Sequence, residues 1–165
     1  MELMHSHRWE ARVPDWIAAA VSGFVAGAVL MVLELIWSAI GDVSPWTTTN
    51  MIAAITMGSD VMQSNEFDFS VIMAALLTHY VLGTVYGMIL AAIIAPFHFD
   101  SSPGLAMLIG AVFGLALYLL NFYGMVRFFP WFAEMRNWVT VWAHVIFGMT
   151  AAFMYWQLEK RESTS

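Results

Sequence analysis

The stretch WIAAAVSGFVAGAVLMVLELIWSAI, residues 16–40, decides the fold. It is apolar throughout except for Ser22, Ser38 and a single ionisable side chain, Glu34. A helix rises about 1.5 Å per residue, so this run exceeds the roughly 30 Å hydrocarbon core of a bilayer. It lacks the alternation of a strand, which predicts a membrane-spanning α-helix. Pro14-Asp15 precedes it as a helix start and Gly41 follows it as a stop.

Three further segments read the same way. The second covers residues 71–95, with Asp68 and Ser70 as N-cap candidates and Pro96 as the stop. The third covers residues 104–126, after Ser101-Ser102-Pro103, and the fourth covers residues 137–157. The expected fold is therefore an all-α membrane protein, a single domain over residues 1–165 with four transmembrane helices in an up-down-up-down bundle. Between the first two helices, Met51 to Met57 forms a run too short to span. Thr49 or Asn50 is placed to cap it and Gly58 to stop it, which predicts a short interfacial helix over residues 50–57.

Composition agrees. Of 165 residues, 61% are hydrophobic and only 11% charged, against about 25% charged in soluble domains; mean hydropathy is +0.72. The lipid bilayer is the first partner. A net charge of −6 excludes nucleic acid and anionic lipid surfaces as electrostatic partners. The absence of cysteine excludes disulfides, thiolate metal sites and cysteine nucleophiles. The first apolar run is too long for a signal-peptide core and holds an internal Glu. Arg8, Arg12, Lys160 and Arg161 fall on the side of the termini, against Arg127 and Arg136 on the other. The positive-inside rule then places both termini in the cytoplasm.

The two halves of the chain repeat one pattern. Gly23, Gly27 and Glu34 are echoed by Gly110, Gly114 and Asn121 at identical spacing. His79, Gly83 and Gly87 are echoed by His144, Gly148 and Ala152. Offsets of 4, 8 and 11 return to one helix face, so each set forms a stripe. The small residues allow close helix packing. Glu34 lies roughly 27 Å from the cytoplasmic start of its helix, and the two histidines are roughly 12 Å in from the other side. All four polar groups thus fall in the outer half of the bundle. A polar outer half above a small-residue inner half predicts a blind pocket rather than a pore.

Intramembrane polar groups are costly and mark functional sites. Glu34, His79, Asn121 and His144 are accordingly the candidate ligand or metal residues. Diagonal histidines suit haem b iron held between two imidazoles. They also suit a transition metal with Glu34 as ligand and Asn121 in the outer shell. The alternative is structural: His79 bonds Glu34 and His144 bonds Asn121, fixing helix register with no cofactor. That reading fits an accessory subunit of a larger membrane complex or a homo-oligomer. A further alternative is proton-coupled transport of a small solute. His5 and His7 are read as a solvated terminus, and Met51, Met57 and Met62 as packing material. No nucleophile triad, phosphate loop or zinc-protease pattern is present, which disfavours an enzyme.

Three stretches carry a resemblance. Thr78-His79-Tyr80-Val81-Leu82-Gly83-Thr84-Val85-Tyr86-Gly87 and Ala143-His144-Val145-Ile146-Phe147-Gly148 resemble recurring segments of small bacterial four-helix inner-membrane proteins. Asn121-Phe122-Tyr123-Gly124, followed by Phe129-Pro130-Trp131-Phe132, is similar to a subset of them. Some carry sodium:proline symporter labels, although such symporters have many more helices. The resemblance implies the four-helix fold and a bacterial inner membrane, and no activity.

Overall fold

Asp15 starts the first helix as its N-cap, its carboxylate accepting from the backbone N–H groups of Ile17 and Ala18 at 2.9 Å. In the computed structural model, residues 12–41, 44–64 and 66–162 are described, with side chains through residue 160. His5, His7 and Arg8, and the side chain of Arg161, lie outside them. Helix α1 is Trp16–Ile40, α2 is Pro45–Met57, α3 is Phe69–Ile94, α4 is Pro103–Leu119 and α5 is Trp138–Glu162. No strand occurs among the described residues.

Four apolar stretches of 23 to 26 residues, the third running on past α4 to Arg127, have mean hydropathies of 2.2, 1.7, 2.2 and 1.3. Each is long enough to cross a hydrocarbon core of about 30 Å. The fold is an all-α four-helix membrane bundle with the start of α1 and the end of α5 at one end, the terminal end, and the long connections at the other, the loop end.

Local chemistry sets the helix ends. Asp68 caps α3 through Ser70 and Val71, as its position predicts. Asn137 accepts from the Thr140 N–H at 3.0 Å at the start of α5. That helix runs to Glu162, five residues beyond the end expected from the sequence. Helix α2 begins earlier than its apolar run suggested. Pro45 occupies its first turn, where a missing N–H costs nothing and φ is already helical. Thr49 and Asn50 therefore lie inside the helix and do not cap it. The Thr49 hydroxyl donates back to the Pro45 carbonyl at 2.9 Å, and the Asn50 amide donates to the Ser64 carbonyl.

Two tight hairpins make up the bundle. Helix α1 packs along α3, α4 packs along α5, and the α1–α5 contact joins the pairs. The contact between α3 and α4 is slight. Glycines sit at both hairpin crossings. A Cβ on Gly23 would collide with the Gly83 carbonyl oxygen and lie 2.9 Å from the Gly87 Cα. A Cβ on Gly148 would collide with the Gly110 carbonyl oxygen, and one on Gly110 would come within 2.8 Å of the Ala152 methyl. Backbones at this separation exclude any larger side chain, the small-residue packing of membrane helices. The terminal-end half is filled by Leu90, Ile94 and Tyr155, each 1% exposed or less. Across the bundle's outer faces, Val32, Leu77, Val81, Leu108 and Val112 are more than half exposed, as lipid-facing residues are.

At the terminal end Arg12 pairs with Asp100 and with Glu159, the latter at 2.6 Å. Burial alone raises the Asp100 carboxyl, but hydrogen bonds with Glu159 and Arg12 and the Arg12 charge outweigh it. The carboxyl is held below its ordinary value.

Candidate functional site

The candidate residues arise from two pairs of helix turns that the hairpin crossings bring together. Glu34 projects from the loop-end third of α1 and His79 from α3; Asn121 follows α4 and His144 lies on α5. All four line one cavity of about 100 Å³ at the loop end. Gly27 and Gly83 form part of its wall, Ile52 and Ile55 of α2 lie over it, and Phe132 and Met135 of the last connection complete it. Helix α2 is anchored there by the Trp131 indole, which donates to the Met51 carbonyl at 3.0 Å. It is held to α3 by a Thr56–Thr78 hydroxyl pair at 3.3 Å.

The pseudo-symmetric polar pairs have different chemistry. In the second repeat both polar side chains, Asn121 and His144, have protein partners. The Tyr86 hydroxyl donates to Asn121 Oδ1 at 3.3 Å. The Asn121 amide faces His144 Nε2 at 3.5 Å, and His144 Nδ1 donates to the Thr140 carbonyl at 2.9 Å. A carbonyl only accepts, so the proton sits on Nδ1 and Nε2 is free to accept from Asn121. This half corresponds to the structural pairing of His144 with Asn121.

The first repeat does not mirror it. His79 Nε2 lies 2.8 Å from the Gly27 carbonyl oxygen, and the same reasoning places its proton on Nε2. The pairing of His79 with Glu34 expected in the structural alternative does not form. Among the described residues Glu34 has no hydrogen-bond or ion-pair partner, and neither has His79 Nδ1. Two acceptors thus face the cavity with no protein donor.

Glu34 and His79 also line a second cavity, of about 300 Å³. It lies between α1, α2 and α3, where α2 packs along α3 but barely touches α1. Ile52 is the other residue common to both.

No three His, Asp or Glu side chains come close enough to hold a metal ion among the described residues. Both nitrogens of His144 are already engaged.

One element has no local signature in the sequence. After Leu119 the chain widens into a π-helical turn, Leu120–Gly124, a feature often found at functional sites. Asn121 and its neighbour Phe122 both line the cavity. Arg136 holds this turn: its Nε donates to the Phe122 carbonyl at 2.6 Å, and its guanidinium lies 4.2 Å from the Tyr123 ring centre. An arginine facing a late apolar run is the only signal in the sequence, and it reads equally well as an interfacial charge.

The fold and cavity define a multi-pass α-helical membrane protein with a polar site at the loop end of the bundle. No family model matches the chain, and no curated protein or solved structure does so either.

Proposed function

We propose that the protein binds a small hydrogen-bond-donating molecule, preferentially a cation, between Glu34 and His79. The observation that supports this reading is the unpartnered Glu34 carboxyl, which faces two cavities beside the free acceptor nitrogen of His79. A charged side chain at membrane depth costs about 2.5–3.5 kcal/mol or more, so it calls for a proton or a counter-charge. The self-satisfied Asn121–His144 pair is then the structural half of the layer. The close-packed terminal half makes the cavity a binding site without a continuous path. The resemblance to small bacterial inner-membrane proteins and the lysine and arginine placement support an inner-membrane location with cytoplasmic termini.

The test uses the full chain in nanodiscs of zwitterionic lipid. Dicyclohexylcarbodiimide, which modifies carboxyls in apolar surroundings, is expected to label Glu34, with ethylammonium slowing the reaction. Labelling is read by intact mass and peptide mapping, with Glu34→Gln as the blank. No adduct at Glu34, or an adduct whose rate ethylammonium leaves unchanged, overturns the reading.

A further inference from the structure

The second cavity deepens the proposed binding between Glu34 and His79. Resting on that reading, the geometry points to an amphipathic amine as the ligand, its cationic head at Glu34 and His79 and its apolar body in the cleft between α1 and α2. The polar site and the cleft adjoin: Glu34, His79 and Ile52 line both, so a head group held by Glu34 and His79 is already at the end of the cleft. Beyond Glu34 the cleft is walled mainly by apolar side chains, among them Met31, Leu35, Trp46, Ile72 and Leu76. It is also the larger of the two spaces, about 300 Å³ against about 100 Å³.

Its position favours access from the bilayer. Leu35 lines the cleft yet is 52% exposed, and its neighbours Val32, Ile36 and Trp37 on the outside of α1 are 46–51% exposed. These side chains face lipid, so the rim of the cleft lies at the lipid boundary and not at a polar surface. Helix α2 closes the cleft on one side through its contacts with α3 and the Trp131 indole, while its contact with α1 is slight.

Head-group chemistry follows from the acceptors. Glu34 offers carboxylate oxygens and His79 offers Nδ1, and among the described residues no lysine or arginine lines either cavity. An ammonium group has three donors and a positive charge, which complements both. A fatty acid or a phosphate head would place like charge against Glu34. A neutral alcohol has one donor and no charge.

The experiment compares ethylammonium, decylammonium and decanol as protectants of Glu34 against the carbodiimide, in nanodiscs. Decylammonium is expected to protect at a bulk concentration at least about tenfold lower than ethylammonium, as burial of two or more methylenes implies. Decanol is expected to give no protection at the same concentration. Partitioning into lipid alone would also favour the long chain, so Ser38→Phe, which fills the cleft, is measured alongside. It is expected to abolish most of the chain-length gain while ethylammonium protects as before; Leu35→Trp at the rim serves if Ser38→Phe folds poorly. An equal chain-length gain in wild type and variant, or equal protection by decanol, overturns the inference. Ethylammonium protection that survives in those cases leaves the Glu34–His79 site standing; its loss in wild type removes the site itself.

Discussion

The Nε2 of His79 donates to the carbonyl oxygen of Gly27 at 2.8 Å, crossing from α3 to α1 at the wall of the cavity. Its counterpart in the second repeat, His144, instead points its Nε2 toward the Asn121 amide. One duplicated pattern therefore gives a side chain that stitches two helices and leaves an acceptor free, and another that is consumed by its neighbours.

The glycines of the two repeats differ in the same way. A Cβ on Gly27 would meet His79 Nε2 at 3.7 Å, an ordinary contact, whereas one on Gly114 would collide with the His144 carbonyl oxygen and lie 2.9 Å from the Val145 Cα. Gly27→Ala is expected to be nearly neutral, and Gly114→Ala to destabilise by about 1–3 kcal/mol or more through overpacking. Gly23→Ala should resemble Gly114→Ala, since its Cβ meets the backbone of α3. Unfolding followed by circular dichroism in one fixed detergent checks the order. Equal loss at Gly27 and Gly114 would show that the crossings relax freely.

The polar layer should divide under mutation. Asn121→Leu removes the partner of both Tyr86 and His144, and interhelical bonds of this kind contribute on the order of 0.6–2 kcal/mol. A drop in stability of that size is expected. Glu34→Gln removes a charge that no protein group compensates, so unfolding should shift upward or stay unchanged. A Glu34→Gln loss as large as that of Asn121→Leu would mean that Glu34 has a structural role, against its assignment to a ligand.

Strong acid should weaken the Arg12–Asp100 contact at the terminal end. The Asp100 carboxyl is held below its ordinary value of 3.8, so the folded state favours its ionised form. That stabilisation is complete above the ordinary aspartate range and is lost as pH falls through the lower, folded value. Unfolding temperature is expected to fall below about pH 4, with a shallower acid slope in Asp100→Asn. At neutral pH, Arg12→Gln leaves Asp100 and Glu159 without their shared cation and should cost on the order of 1 kcal/mol, given the partial exposure of Arg12. An unchanged acid slope in Asp100→Asn would assign the transition to other carboxyls.

Which features were legible in the sequence follows from the range of the forces involved. Length and hydropathy place the spans, and capping by Asp15 and Asp68 is local, so both read directly from neighbouring residues. The repeat brought Glu34, His79, Asn121 and His144 to one depth and face, and they share a cavity. Of the two hydrogen-bonded pairs expected, His144 with Asn121 forms and His79 with Glu34 does not. Whether His79 meets Glu34 or the Gly27 carbonyl depends on how closely α1 and α3 cross, which is a tertiary quantity. The early start of α2 was available in Pro45, but the apolar run beginning at Met51 masked it. The π-helical turn depends on Arg136, fourteen residues from Phe122 in sequence, and no local propensity encodes it.

That turn can be tested directly. Arg136 engages both its backbone, at Phe122, and its surface, at Tyr123. Arg136→Leu keeps the apolar stem but removes the donor, leaving the Phe122 carbonyl, on a buried residue, without that partner. A charge-assisted bond of this kind is worth about 1.5–3 kcal/mol, and its loss should let the turn relax toward regular α-helix. Asn121 and Phe122 would then shift relative to His144, so the imidazole resonances of His144 should move while those of His79, on the far hairpin, hold still. Arg136→Lys, which restores a donor without the planar group over Tyr123, should recover part of the effect. Movement of both histidines together would mean that the loop controls the whole cavity, and movement of neither would mean that the turn is fixed by α4 and α5 alone.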